Sequence, residues 1–202
     1  MPNWIDNSTE LNGTLVQLAP LKTDHFDALL EVAADKRIWT HYTLDGSKAE
    51  RLRSALNDGL LEWRKGTQFP FVIVEKSSNR LIGSTRLLEL QQVHRKLEIG
   101  WTWLHPDYWG TAVNLECKLL LLTFCFETLG ATRVQLRTDE NNIRSWKAIE
   151  KIGARFEGIL RHDLIRDDGS HRNSAYFSII EPEWKQVKLQ LSEKLRSKMG
   201  DQ

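Results

Sequence analysis

The spacing of hydrophobic and polar residues along the chain predicts an ordered series of strands and helices. Short apolar runs and alternation with a period of two predict strands at 14–20, 70–75, 81–90, 96–104, 132–138, 155–165 and 172–180. Apolar residues three and four positions apart predict helices at about 23–33, 47–64, 111–129, 142–152 and 182–199. Because a helix crosses over between strands 96–104 and 132–138, we predict a mixed α/β fold with a largely antiparallel sheet, one parallel pair and helices on both faces.

Polar and glycine residues mark the predicted helix ends. Thr23 is placed to cap the first helix, and Ser47 and Glu50 have the spacing of a capping box at the second. Gly130 and Gly153 directly follow the third and fourth helices, where a left-handed closing residue is common. These signals predict where the helices begin and end.

The chain has the length and composition of one globular domain. Its 202 residues, 41% hydrophobic and 27% charged, do not match disordered, collagen-like or membrane-bundle proteins. We expect an N-terminal extension at 1–13, the folded domain at 14–181 and an amphipathic helix at 182–202. The longest apolar stretch, 119–126, is far shorter than the ~20 residues that span a bilayer. The first residues also lack the apolar run of a secretory signal.

The charge balance and the cysteine content indicate which partners and which cellular compartment to expect. The 28 lysine and arginine residues nearly balance the 27 aspartate and glutamate residues, so we predict neither nucleic acid nor a membrane as a partner. Cys117 and Cys125 lie two helical turns apart in one apolar segment, too far apart for a disulfide. We predict that both are buried thiols of a cytoplasmic protein.

The segment 98–118 carries the most chemical information, because a predicted strand passes there through a tight loop into an apolar helix. The first backbone amides of such a helix lack partners within it, and the helix dipole adds positive potential. Small residues at Gly110, Thr111 and Ala112 would let an anion approach these amides. By itself the pattern is also typical of a helix cap. The motifs of P-loop and dinucleotide-binding proteins are absent.

Together with 137–158, this segment closely resembles the GNAT acetyltransferase superfamily, in the branch of the ribosomal-protein amino-terminal acetyltransferases. The resemblance covers about 14–181 and implies the GNAT fold, acetyl-CoA as co-substrate and no metal. In the family's first motif, backbone amides hold the pyrophosphate of CoA. The corresponding positions here are Trp109, Gly110, Thr111, Ala112, Val113 and Asn114. Ala112 stands where the family usually has its inner glycine.

The family's second motif is matched by Asn142, Ser145, Glu150, Lys151 and Gly153. The resemblance implies that Asn142 lies beside the pantetheine arm and Ser145 near the thiol sulfur. Asn142 also fits a helix cap, and the Ser145 hydroxyl could instead bond to a carbonyl one turn earlier. Many relatives place a tyrosine acid where this chain has Ile149. Isoleucine donates no proton, so that role is open.

Side chains alternate along the predicted strand 96–104. One face is predicted to carry Leu97, Ile99, Trp101 and Trp103, and the other Glu98, Gly100 and Thr102. On the second face Glu98 is our candidate for the base that takes a proton from an ammonium group. The alternative is a strand carboxylate paired with Lys96 or Arg95. A backbone amide near Trp103 or Leu104 is expected to polarise the acetyl carbonyl.

Residues between the first two helices are candidates for the acceptor site, because GNAT relatives build that site in this region. They are Trp39, His41 and Tyr42. Trp39 equally fits a core anchor. His162 and His171 flank the terminal hairpin without a cysteine or carboxylate cluster at metal spacing, so we predict no metal site.

Three hypotheses about function follow. The first is an enzyme that transfers an acetyl group from acetyl-CoA to a primary amine, by direct attack in a ternary complex, with Glu98 and Ser145 assisting. The amine could be a peptide amino terminus or a small molecule, since acceptor loops vary on one fold. The second is a CoA-binding sensor or interaction module without turnover. The third is an α/β scaffold that forms homodimers through the apolar stripe of the tail, 184–195.

Overall fold

A computed structural model describes residues 4–200. Within them, the strands are Leu11–Asn12 (β1), Val16–Pro20 (β2), Phe69–Glu75 (β3), Arg80–Gln91 (β4), Lys96–Leu104 (β5), Arg133–Asp139 (β6), Arg155–Ile165 (β7) and His171–Ile180 (β8). The α-helices are Phe26–Val32 (α1), Ala49–Arg64 (α2), Val113–Thr123 (α3), Ile143–Lys151 (α4) and Glu181–Gly200 (α5). Helix α3 continues into one π-helical segment, Phe124–Thr128.

The strands form one sheet in the order β1-β2-β3-β4-β5-β6-β8-β7. All neighbours are antiparallel except β5 and β6, which are parallel and pair at Lys96 with Arg133, Leu97 with Val134 and Glu98 with Gln135. Beyond Glu98 the two strands no longer pair, so they separate and open the sheet. The predicted mixed α/β fold with one parallel pair is confirmed.

Apolar side chains cover both faces of the sheet. Leu121 of α3 and Leu191 of α5 belong to one core with Phe177 of β8. Leu56 of α2 belongs to a second core with Val72 of β3 on the opposite face. Helices therefore pack on both faces, as predicted. No helix within residues 4–200 is both long and apolar enough to cross a membrane.

The amphipathic tail packs within its own chain. Trp184, Val187, Leu191 and Leu195 are all buried, and the Trp184 ring stacks on Phe126 at 5.1 Å between centroids. The apolar stripe is therefore used by the core of the same chain. Homodimerisation through the tail stays a prediction, and it would have to use side chains outside this stripe, such as the exposed Leu189.

Two predicted helix starts are wrong, and the predicted helix ends are correct. Thr23 begins a short 3-10 turn whose cap is Lys22, and α1 starts three residues later. The Ser47 hydroxyl donates to the Asp45 carboxylate at 2.6 Å instead of capping α2, whose cap position Lys48 makes no side-chain capping bond. Gly130 and Gly153 adopt left-handed conformations, with φ of 63° and 96°.

A β-bulge interrupts the alternation of β5. Trp101 has a φ of 50°, and the β4–β5 register shifts between the pairs Ser84–Trp103 and Arg86–Gly100. Trp103 consequently belongs to the core beneath α1 and α2. The prediction that Trp101 and Trp103 share a face with Leu97 and Ile99 is wrong, because the extra residue reverses the facing of the side chains that follow.

Glu116 joins the amino-terminal segment to α3. Its carboxylate is 4% exposed and accepts backbone N–H bonds from Thr14, Leu15 and Val16 at 2.8, 2.7 and 2.8 Å. Thr14 and Leu15 precede β2 and Val16 is its first residue, so one side chain holds both the loop and the start of the strand. Glu116 is thus a structural carboxylate.

Replacing Glu116 by glutamine is expected to lower the free energy of unfolding by about 3 kcal/mol, because one acceptor oxygen becomes an N–H₂ group facing buried donors. Urea denaturation monitored by tryptophan fluorescence measures the change. Glu193 is an exposed residue of α5, and Glu193→Gln should change stability by less than about 0.5 kcal/mol. Equal stabilities of the two variants would contradict this role for Glu116.

Candidate active site

A cleft of about 470 Å³ opens where β5 and β6 separate. Its wall includes most residues that the sequence indicates as functional: His41, Tyr42, Glu98, Trp103, Leu104, Trp109, Gly110, Asn114, Asn142 and Ser145. Four indicated residues do not reach the wall: Trp39, Thr111, Ala112 and Val113. The helices divide the wall into two parts, an α3–α4 side formed by Gly110, Asn114, Lys118, Asn142 and Ser145, and an α1–α2 side formed by His41, Tyr42, Arg86, Glu98 and Trp101.

The α3–α4 side begins with unpaired backbone amides. Within residues 4–200, the N–H groups of Gly110, Ala112, Asn114 and Leu115 donate no hydrogen bond. Gly110 has a φ of 73°, and no neighbouring atom lies within 4 Å of the position that a Cβ atom would occupy. This end of α3 can therefore accept an anion on its amides without steric obstruction.

The side chains of the other motif residues face away from this anion position. Ala112 is fully buried in the core, and Val113 also packs there. The Thr111 hydroxyl donates to the Tyr108 carbonyl at 2.8 Å and accepts from the Val113 amide at 3.3 Å. These three residues can therefore contribute only backbone atoms to binding. Alanine in place of the family's inner glycine adds its methyl group to the core and leaves the cleft open.

Trp109 and Arg144 close the outer end of this side. The Trp109 indole donates to the Leu104 carbonyl at 3.0 Å, and the Arg144 guanidinium lies 3.5 Å from the centre of the Trp109 ring. Its position on the cleft wall, over the ring next to Gly110, places a positive charge near the unpaired amides of α3.

Helix α4 presents Asn142 and Ser145 to the cleft. The Asn142 side chain accepts the Ser145 backbone N–H at 3.1 Å, so Asn142 caps the helix while facing the cleft. In the described chain the Ser145 hydroxyl makes no hydrogen bond, including the backbone bond considered as its alternative. It is therefore available to a bound molecule. Ile149 is buried on the same wall.

Glu98 is the buried carboxylate of the α1–α2 side and is 1% exposed. It accepts hydrogen bonds from Gln135 at 2.9 Å and from the Arg137 Nε at 3.1 Å. Burial raises the pKa of Glu98, and the Arg137 charge opposes that rise. The alternative pairing with Lys96 or Arg95 is wrong, because β6 supplies both partners across the parallel pair.

Of the three predicted acceptor residues, His41 and Tyr42 lie on the cleft wall and Trp39 does not. Tyr42 donates its hydroxyl to the Thr102 carbonyl at 2.6 Å, beside the bulge, and burial raises the pKa of that hydroxyl. His41 also lines the cleft, and partial burial lowers its pKa. Trp39 instead lies in the core, where its indole donates to the Ala33 carbonyl at 2.8 Å. Trp39 supports Tyr42 from behind and is a core anchor.

The wall also carries cations that the sequence did not indicate as functional, among them Arg86, Lys118 and Arg172. Arg86 is buried, lies 3.8 Å over the Trp101 ring and donates to the Ala55 carbonyl. Lys118 is 7% exposed and hydrogen-bonded to Thr102. Lys118 could have been found from the sequence, because it lies one turn after Asn114 and is the only lysine within the apolar helix α3. The other two needed the tertiary structure.

No metal centre accompanies this cleft in the part of the chain that the structure describes. Residues 4–200 contain no group of three or more His, Cys, Asp or Glu side chains that could hold a metal ion. His162 and His171 stack on each other at 4.1 Å between ring centroids on the terminal hairpin.

Comparison with known proteins agrees with this geometry. Residues 16–155 match the family model described as an acetyltransferase (GNAT) domain. YdaF of Bacillus subtilis (strain 168), provisionally named a ribosomal N-acetyltransferase, is 34% identical over 104 residues. That match covers 52% of this chain and 56% of YdaF, so the chain spans about half the length of this relative.

Solved structures show the same fold over nearly the whole chain. An acetyltransferase from T. thermophilus, also provisionally named, has a TM-score of 0.83 and 32% identity, and the match covers 92% of this chain and 96% of that one. RimJ of Mycobacterium smegmatis, solved in complex with CoA-disulfide, has a TM-score of 0.77 and 21% identity, with 96% of each chain covered.

Proposed function

Because this chain belongs to the GNAT acetyltransferase family, we propose that it transfers the acetyl group of acetyl-CoA to a primary amine by direct attack in a ternary complex. The observation that supports this most is the cleft between β5 and β6. It has unpaired amides at one end and a buried carboxylate, Glu98, on the opposite side. These are the groups that an anionic cofactor and a protonated amine require.

The α3–α4 side fits acetyl-CoA. The amides of Gly110 and Asn114, which both reach the cleft wall, would hold the pyrophosphate, and Arg144 adds a positive charge near them. Asn142 and Ser145 then face the remainder of the cofactor along α4. Holding thioester and amine together in one cleft would provide much of the rate enhancement. Both reactants lose their translational and rotational entropy when they bind, so this loss no longer adds to the barrier of the reaction.

The α1–α2 side fits the amine. A buried carboxylate whose pKa is raised is a stronger proton acceptor than a free one. The Arg137 charge nevertheless favours the ionised form that can take the proton. Glu98 would remove the proton directly or through one water. His41 and Tyr42 would line the acceptor pocket.

The state of the two cysteines supports direct transfer over an acetyl-cysteine intermediate. Cys117 and Cys125 are both buried and unpaired with another cysteine, as predicted. Burial raises the pKa of the Cys117 thiol to about 12 and raises that of Cys125 further. Both thiols stay protonated near neutral pH and would be poor acceptors of an acetyl group.

The acceptor class that we propose is a primary amine, either a peptide amino terminus or a small-molecule amine. The name of YdaF favours a peptide of ribosomal origin. Such an acceptor, together with the two free buried thiols, is consistent with a cytoplasmic protein. The hypothesis of a sensor without turnover loses one motivation, because the Ala112 side chain leaves the anion position open.

Release of free CoA thiol from acetyl-CoA, measured with a panel of peptides and small amines, tests the proposed function. We expect acceptor-dependent release with at least one primary amine and none with its N-acetylated counterpart. Saturable binding of acetyl-CoA without thiol release from any amine would favour the sensor instead. Absence of both binding and release would contradict the proposal.

Ser145→Ala is expected to lower kcat by about tenfold and to leave the affinity for acetyl-CoA unchanged. The hydroxyl would give one hydrogen bond to the departing sulfur, and a single such bond contributes roughly 1 kcal/mol. Steady-state kinetics on the identified acceptor measure the effect. The exposed Ser197 of α5 provides the matched control, Ser197→Ala. An unchanged kcat in Ser145→Ala would remove Ser145 from the mechanism.

A further inference from the structure

Lys118 is a buried charge of the cleft to which the proposed reaction gives no role. Lys118 lies in the middle of α3, is 7% exposed, and its Nζ is 2.7 Å from the Thr102 Oγ1. An ammonium group carries three N–H donors, and this is its only hydrogen bond within residues 4–200. None of the ion pairs in that part of the chain includes Lys118. A buried cation without a counter-charge is costly, so a negative partner supplied during function would stabilise it.

The bulge of β5 determines which reactant this charge faces. In the β4–β5 register Leu88 pairs with Glu98 and Arg86 with Gly100. The Arg86 guanidinium reaches the Ala55 carbonyl of α2, so this face of the strands lies under α2. After the bulge the Thr102 side chain points to α3, where it meets Lys118. Lys118 and Ser145 therefore lie on the α3–α4 side, and Glu98 lies on the other. The negative charge that forms on the α3–α4 side is that of the departing sulfur.

Resting on the proposed function, we infer that Lys118 provides the positive charge and the proton that the departing CoA sulfur requires. Glu98 takes one proton from the ammonium group and passes it to water. The neutral amine nitrogen then forms a bond to the acetyl carbon and gives its second proton to Glu98, the carbon–sulfur bond breaks, and its electron pair stays on sulfur. The sulfur takes a proton from the Lys118 Nζ, and both side chains return to their starting states by exchange with water.

The proton affinities suit this transfer. Burial lowers the pKa of Lys118 to about 8, and a free thiol ionises near ~8.5, so a proton moves between them at little cost. The titratable groups acting on Lys118 are the Cys117 and Cys125 thiols, which remain neutral. The Thr102 hydroxyl of β5 accepts the Lys118 hydrogen bond and is itself bonded to the Thr85 hydroxyl of β4. Ile149 cannot supply this proton.

The thiol pKa of bound CoA tests the inference without any acceptor. Thiolate absorbs in the ultraviolet, so a pH titration of CoA with excess protein gives its ionised fraction directly. We expect wild-type protein to lower the thiol pKa by about one unit, a tenfold gain in thiolate below that pKa. Lys118→Met should remove this shift, and Lys118→Arg should retain it. Lys185→Met removes an exposed charge on α5 and should behave as wild type.

The outcomes distinguish failure of this inference from failure of the proposed function. If wild type and Lys118→Met bind CoA and show the same thiol pKa, Lys118 does not act on the sulfur, although acetyl transfer can still hold. If wild type does not bind CoA, the proposed function itself fails. If Lys118→Met does not fold, the wild-type titration decides, since a bound thiol pKa at or above that of free CoA overturns the inference.

Discussion

Glu98→Gln is expected to lower kcat/KM at neutral pH by about 100-fold. A primary amine is mostly protonated at that pH, so the reaction needs a base that raises the fraction of neutral nucleophile. Glutamine keeps the shape of the side chain, and its one carbonyl oxygen can still accept the hydrogen bond of either Gln135 or Arg137. It cannot take a proton. The deficit should shrink at high pH, where the amine deprotonates unaided.

A pH–rate profile of wild type and Glu98→Gln measures this effect. Glu89→Gln is the matched control, because Glu89 also lies within 3.6 Å of Arg137 but is half exposed and lies off the cleft wall. We expect Glu89→Gln to retain wild-type kinetics. If Glu98→Gln keeps wild-type kcat/KM at neutral pH, Glu98 serves only to hold Arg137, and the base must be another group.

Gly110→Val is expected to weaken acetyl-CoA binding by about 100-fold or more. The space next to Gly110 is empty in the structure, and a branched side chain would occupy it in front of the unpaired amides of α3. Valine also disfavours the φ of 73° that Gly110 adopts. Both effects act on the loop that would hold the pyrophosphate.

A second glycine separates backbone strain from loss of the anion position. Gly130 has a φ of 63° and equally empty surroundings, but it lies beyond the opposite end of α3. Gly130→Val should therefore incur similar strain and keep wild-type affinity in a calorimetric titration. Equal losses of affinity in the two variants would show that strain alone is responsible, and would move the predicted CoA contact away from Gly110.

The order of elements could be predicted from sequence because it depends on local periodicity. The crossover helix between β5 and β6 follows from its length and apolar character, and with it the parallel pair that opens the cleft. Local signals were less reliable at helix starts. Ser47 has the spacing of a capping box, yet its hydroxyl donates its hydrogen bond to the carboxylate of Asp45, two residues earlier, instead of capping α2. Competition between neighbouring polar groups decides such cases.

The direction in which the candidate catalytic side chains point could be predicted only in part from the sequence. A tryptophan with positive φ gives no local signal, so the bulge at Trp101 depends on the register between β4 and β5. Without the bulge, Thr102 would face away from α3 and Lys118 would have no partner there. The pairing of Glu98 with Arg137 likewise joins strands that are distant in sequence. Contacts of this kind follow from tertiary structure alone.

Calorimetric titration of the wild-type chain with acetyl-CoA tests the central claim most directly, because every proposed role depends on cofactor binding in the cleft between β5 and β6. We expect one site per chain with a Kd in the micromolar range, on the order of 1–100 µM, and a large loss of affinity in Gly110→Val but not in Gly130→Val. No saturable binding by folded wild-type protein up to about 1 mM acetyl-CoA would contradict the account.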